Sequence, residues 1–138
     1  MKELVLYYSR SGNTKQVAVD FARANHLDIC EIQTPRKING AKAMASIVKA
    51  TKGAGMPIVP PAIALDGCQA AHIFAPIWAD CIAPPMNSAI ALLPQGCALH
   101  LHLVSEKGTS GRERNTKQLE AKGYTVASYE DIKSEEKP

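Results

Sequence analysis

Several things are missing from this 138-residue chain, and each absence removes a class of function. It has no long apolar run. The opening stretch Leu4–Tyr8 is too short for a secretory signal or a membrane helix, so no membrane association is expected. It has no Cys-x-x-Cys pair. Cysteines stand singly at 30, 68, 81 and 97, which argues against a structural zinc or a dithiol redox centre and fits reduced thiols in a cytoplasmic protein. It has no basic run interleaved with aromatics, and a net charge of +3 is too mild to suggest nucleic acid. Neither Gly-x-x-x-x-Gly-Lys-Ser/Thr nor Gly-x-Gly-x-x-Gly occurs, which excludes the Walker A loop and the dinucleotide turn. No acidic cluster follows the first apolar run, so a magnesium-binding receiver domain is disfavoured. No repeat or break in composition divides residues 1–138, which read as a single domain large enough for one core.

What is present begins at Leu4-Val5-Leu6-Tyr7-Tyr8, an apolar run that breaks into Ser9-Arg10-Ser11-Gly12-Asn13-Thr14 and resumes at Lys15 with helical spacing. This is a strand, a tight loop and a helix start. Ser9, Ser11, Asn13 and Thr14 bring hydroxyl or amide groups. Gly12 can take the positive φ that turns backbone N–H groups inward, and a helix N-terminus suits an anion. No acidic residue lies between Glu3 and Asp20 to repel one. A phosphate cradle and an ordinary turn capped by Asn13 or Ser11 use the same residue types, and composition leaves both open.

Thr14, Val17, Ala18, Phe21 and Ala22 form one helical stripe, and Leu27–Gln33 reads as the second strand. Gly40–Thr51 reads as a helix with Ala43, Met44, Ile47 and Val48 on one face. Residues 52–67, rich in Gly and Pro, read as an irregular connector held against the core by Ile58, Val59, Ile63 and Leu65. Ala70–Pro76 is the third strand, followed by a loop from Ile77 to Pro85 and a helix over Met86–Leu93. Ala98–Val104 is the fourth strand, Ser105–Gly111 a loop, Arg112–Lys122 a polar helix and Tyr124–Tyr129 the fifth strand. Alternating strands and helices predict an α/β domain with a parallel sheet and right-handed crossovers.

Tyr8-Ser9-Arg10-Ser11-Gly12-Asn13-Thr14 resembles the FMN-phosphate loop of flavodoxins and flavodoxin-like oxidoreductases, a hydroxyl-rich loop ending in Gly-Asn-Thr after the first strand. Pro76-Ile77-Trp78-Ala79-Asp80, running on to Pro84-Pro85, resembles the loop by which that family lays an aromatic ring on the isoalloxazine. Asp80 and Cys81 stand where the family often has small residues. The resemblance implies a doubly wound five-stranded parallel sheet of order 2-1-3-4-5 with its site at the carboxyl ends of the first, third and fourth strands. It implies that Ser9, Arg10, Ser11, Gly12, Asn13 and Thr14 hold the FMN phosphate. Trp78 and the backbone of Pro76, Ile77, Ala79 and Asp80 would hold the ring on one side, with Ser105, Lys107 and Gly108 on the pyrimidine side. The function it implies is electron or hydride transfer between a reductant and a small-molecule acceptor or redox protein partner. The alternative is a module of the same fold that has lost FMN and serves binding or assembly.

Other residues have plainer readings. Cys81 is a packing residue rather than a redox thiol. His100 and His102 share one face of the fourth strand, without an evident third metal ligand. The sequence reaches Pro138 soon after the fifth strand, with no room for the helix that flavodoxins place there, and a sheet face left bare invites a homodimer. Asp28, Glu31, Asp66 and the charges of Glu130–Lys137 read as solvated surface.

Overall fold

The computed structural model describes residues 1–134. Its strands are β1 (Glu3–Tyr7), β2 (Asp28–Glu31), β3 (Ala70–Trp78), β4 (Cys81–Ile82), β5 (Ala98–Ser105) and β6 (Thr125–Lys133). Its helices are α1 (Asn13–Asn25), α2 (Gly40–Ala45), α3 (Ile47–Thr51), α4 (Pro84–Ile90) and α5 (Arg112–Ala121). Five parallel strands run in the order β2-β1-β3-β5-β6, the expected 2-1-3-4-5 order with one short strand added. The addition is β4, which turns back antiparallel on the end of β3, placing Ile77 opposite Ile82 and Trp78 opposite Cys81. The Ile77–Pro85 segment is therefore partly a hairpin and not simply a loop.

The period-two alternation of each strand divides the core between the two sheet faces. Leu4, Leu6, Ile73, Leu99, Leu101 and Leu103 face one side, where Ala50 of α3, Met86 and Ile90 of α4 and Leu119 of α5 cover them. Val5, Tyr7 and Phe74 face the other side, beneath Ala18 and Ala22 of α1. Each fully buried aliphatic side chain contributes roughly 1.5–3 kcal/mol. The stripe expected on α1 is the one it buries: Thr14, Ala18 and Ala22 are inside, with Val17 and Phe21 half-buried. The connector from 52 to 67 has no regular structure, yet Met56, Ile58 and Ile63 pack on the core and Val59 N–H donates to Gln33 O at 2.7 Å.

Three local expectations need correction. The helix over Gly40–Thr51 is two short helices, broken at Ser46, whose hydroxyl donates to Lys42 O at 2.8 Å and competes with the backbone ladder. Of that segment's apolar face, Ala43 packs against the core, whereas Met44 and Val48 are 71% and 61% exposed. The last strand runs on to Lys133, because β5 continues to Ser105 and supplies backbone partners along that length. Glu31 is half-buried rather than solvated, and its carboxylate accepts from Gln33 Nε2 at 2.8 Å. Asp28, Asp66, Glu130 and Asp131 are exposed, as expected, while Glu135, Glu136 and Lys137 lie outside the described residues.

Candidate functional site

The loop between β1 and α1 is closed by its own residues. Gly12 N–H donates to Ser9 Oγ at 2.9 Å, and Gly12, with φ of 102°, is the N-cap of α1. Only glycine holds that angle without strain. The N-cap makes no side-chain hydrogen bond, so the capping role open to Asn13 or Ser11 falls to Gly12 instead. Thr14, the second residue of α1, is 1% exposed, and its Oγ1 has no hydrogen-bond partner among the described residues. A buried hydroxyl without a partner costs about 1–3 kcal/mol. Thr14 lies in the first turn of α1, where unpaired backbone N–H groups and the positive end of the dipole favour a bound anion. An anion accepting from its hydroxyl would remove that cost.

Beside this loop lies a cavity of about 440 Å³ at the carboxyl ends of β1, β3 and β5. Arg10, Ile77, Trp78, Ala79, Asp80, Ser105 and Lys107 line it, so both expected ring-side loops and one residue of the phosphate loop meet there. Arg10 also lines a second hollow of about 240 Å³, shared with Tyr8, Ser9 and Lys37. Ser11, Gly12, Asn13 and Thr14 line neither. Pro76 is buried in β3, where its carbonyl accepts from Ala83 N–H at 3.1 Å. Gly108 does not reach the cavity; its N–H donates to Ser105 Oγ at 3.0 Å, and the same hydroxyl donates to Thr109 O at 3.2 Å. Ser105 thus shapes the loop as well as lining the wall.

Trp78 is 8% exposed and meets Tyr8 edge to face, with centroids 6.2 Å apart. It is a wall of the cavity anchored in the core, rather than a ring standing free. Burial pushes the Tyr8 phenol above its ordinary pKa, against the opposing pull of Arg10. The turn after Trp78 places Ala79 and Asp80 at φ of 51° and 66°, the geometry of a two-residue hairpin in which both residues are left-handed. For Ala79 this costs about 1–2 kcal/mol. The turn is held from behind by α5: Asp80 O accepts from Gly111 N–H at 2.8 Å and from Asn115 Nδ2 at 3.1 Å. A side chain at Gly111 would put its Cβ 3.1 Å from Asp80 O, a tight contact that favours glycine there.

Gly40, Ala43, Met44 and Ile47 of the α2–α3 segment complete the cavity wall, together with Glu106 and Thr109. Sequence reasoning did not bring these four to the site: it gave Ala43, Met44 and Ile47, with Val48, as one apolar face of a helix beginning at Gly40. No local signal marks them, because which side of a helix borders a cavity is set by tertiary packing.

The remaining candidates lie elsewhere. Cys81 is fully buried, and Arg114 Nη1 donates to its sulfur at 3.6 Å. His100 and His102 do share a face, the α1 side of the sheet, joined there by His72. Burial lowers the pKa of both His100 and His102, although Glu130 partly opposes this at His102. Among the described residues no group of three or more His, Cys, Asp or Glu has the geometry to hold a metal ion. Nor is any helix there long and apolar enough to cross a membrane.

No protein-family model matches the sequence, and no curated protein matches it at a significant level. Solved structures do match. A flavoprotein in complex with FMN from Lactobacillus acidophilus superposes with a TM-score of 0.72 at 17% identity, covering 93% of this chain and 91% of that one. A candidate flavoprotein from Bacteroides uniformis gives 0.73 at 22% identity, with 93% and 87% covered. Another from Bacteroides eggerthii gives 0.77 at 20% identity, with 94% and 86% covered. Strand order, crossovers and these likenesses agree: the chain has the flavodoxin-like fold.

Proposed function

We propose that this protein binds FMN noncovalently and works as a flavodoxin-like redox protein, passing electrons or hydride between a reductant and a small acceptor or protein partner. The observation that carries the reading is Thr14 Oγ1, fully buried at the start of α1 and without a hydrogen-bond partner among the described residues. A phosphate seated there would accept from that hydroxyl and from the N–H groups of the first turn. Arg10 of this loop lines both the cavity and the neighbouring hollow, and its positive charge would help offset a dianionic phosphate. The cavity wall of Trp78, Ile77 and Ile47 offers flat and apolar surface of the kind an isoalloxazine ring fills, and Lys107 brings a positive charge to the same space. The Lactobacillus acidophilus neighbour, crystallised with FMN, supports the choice of cofactor.

Bound FMN would supply the redox chemistry. The protein's part is to hold the phosphate through the Ser9–Thr14 loop, to wall the ring with Trp78, and to fix the Ala79–Asp80 turn against α5. The test is an absorbance spectrum of the purified protein after addition of FMN and removal of the excess. Two retained visible bands with quenched Trp78 fluorescence are expected. A colourless protein that takes up no flavin would contradict the reading and leave a binding or assembly module of the same fold.

A further inference from the structure

Charge is unevenly spread over this chain. Residues 32–65 hold Arg36, Lys37, Lys42, Lys49 and Lys52 with no Asp or Glu, whereas the rest of the chain is net −2. All five basic side chains are exposed, and none forms an ion pair with a carboxylate among the described residues. The same segment carries two of the largest exposed apolar side chains in the molecule, Met44 and Val48, four residues apart on α2 and α3. Met44 lies on the cavity wall itself. The α2–α3 segment beside the cavity thus sets two exposed apolar side chains among five basic residues and no acidic one.

An isolated exposed apolar residue needs no explanation, but an apolar centre with a charged surround has the layout of a transient protein interface. We infer that the α2–α3 face docks a redox protein presenting an acidic surface, which reaches the flavin over Met44 and Val48. This rests on the proposed function, since it names the partner of that same site. Charge complementarity selects the occupant: like charges rule against a second copy docking through the same face, and two apolar side chains are too few to seat a helix in a bilayer. The carboxylates on the cavity wall, Asp80 and Glu106, belong to other loops and leave α2 and α3 uniformly basic.

The experiment uses the FMN-loaded full chain and a fluorescently labelled small acidic ferredoxin as probe, with binding followed by anisotropy. Lys42→Glu with Lys49→Glu should weaken binding at least about tenfold, and raising salt from about 20 to about 200 mM should do the same. Arg23→Glu with Lys117→Glu changes the net charge equally on other surfaces and should leave affinity within about twofold. Met44→Ala should weaken binding without altering the salt dependence. Equal losses in the two double variants would overturn the inference, as would absence of binding at low salt. Capture of the protein by phosphatidylserine vesicles through Lys42 and Lys49 with no binding of the probe would overturn it too. A chain that takes up no FMN overturns the proposed function first, and this inference with it; a loaded chain that fails these tests overturns the inference alone.

Discussion

His72 Nδ1 lies 3.1 Å from His102 Nε2, linking β3 to β5 on the sheet face beneath α1. The link sits inside a longer chain. His72 Nε2 is 2.6 Å from Glu3 Oε2 on β1, and His102 Nδ1 is 2.7 Å from Glu130 Oε2 on β6. Four residues on four strands are joined by three hydrogen bonds, and three bonds need three protons. His102 takes part as the neutral tautomer, donating from Nδ1 to Glu130 and accepting at Nε2 from His72. Phe74 stacks on its ring at 4.2 Å, and burial disfavours its charged form.

This arrangement sets a pH dependence. The folded pKa of His102 is lowered, so its contribution to stability is present above the unfolded value of about 6.5 and is lost as pH falls. Protonation at Nε2 removes the acceptor for His72. Thermal midpoints should therefore decline from pH 7 toward pH 5, and His102→Phe should flatten that decline. An unchanged slope in His102→Phe would show that other groups govern it.

Thr14→Val removes a hydroxyl that has no partner among the described residues and keeps its shape. Folding stability, measured by urea denaturation, should be unchanged or slightly higher. FMN affinity should fall about tenfold or more, the loss of one charge-assisted hydrogen bond. A loss of stability with unchanged affinity would make Thr14 a packing residue.

The Ala79–Asp80 turn carries backbone strain at two residues other than glycine. Ala79→Gly should stabilise the protein by about 0.5–1 kcal/mol, and Asp80→Gly by less, because Asp tolerates the left-handed region better. Chemical denaturation midpoints of the two variants decide this, and a destabilised Ala79→Gly would argue against the turn geometry.

Tyr124 ties the end of α4 to the start of β6. Its hydroxyl lies 2.7 Å from Ile90 O and 3.0 Å from Leu93 O, all buried. Tyr124→Phe leaves those carbonyls short of a donor and should cost about 1–3 kcal/mol, read as a lower thermal midpoint with the fold retained by circular dichroism.

What could be read in the sequence was local. The Ser9–Thr14 loop, the stripe from Thr14 to Ala22 and the alternation of strands with helices each show within a few residues, because turn chemistry and periodicity act at that range. The His72–His102 link was not readable: it depends on the register of β3 against β5, residues 30 apart in the chain. The hairpin at Ala79–Asp80 was hidden because neither residue is glycine, and α5 rather than local propensity holds it. The end of β6 was mistaken for a polar tail since Glu130, Asp131 and Lys133 are exposed on an edge strand, where charge is usual. The exposure of Met44 and Val48 was not readable either, because helical spacing finds an apolar face without saying what that face meets.

The central claim is that the Ser9–Thr14 loop holds a phosphate beside a flavin-sized cavity. It is tested most directly by titrating the protein with FMN and, separately, with riboflavin, following flavin fluorescence. FMN should bind at least about a hundredfold more tightly, since only FMN would engage Thr14 and the start of α1. Equal affinity for the two flavins, or no binding of either, would contradict it.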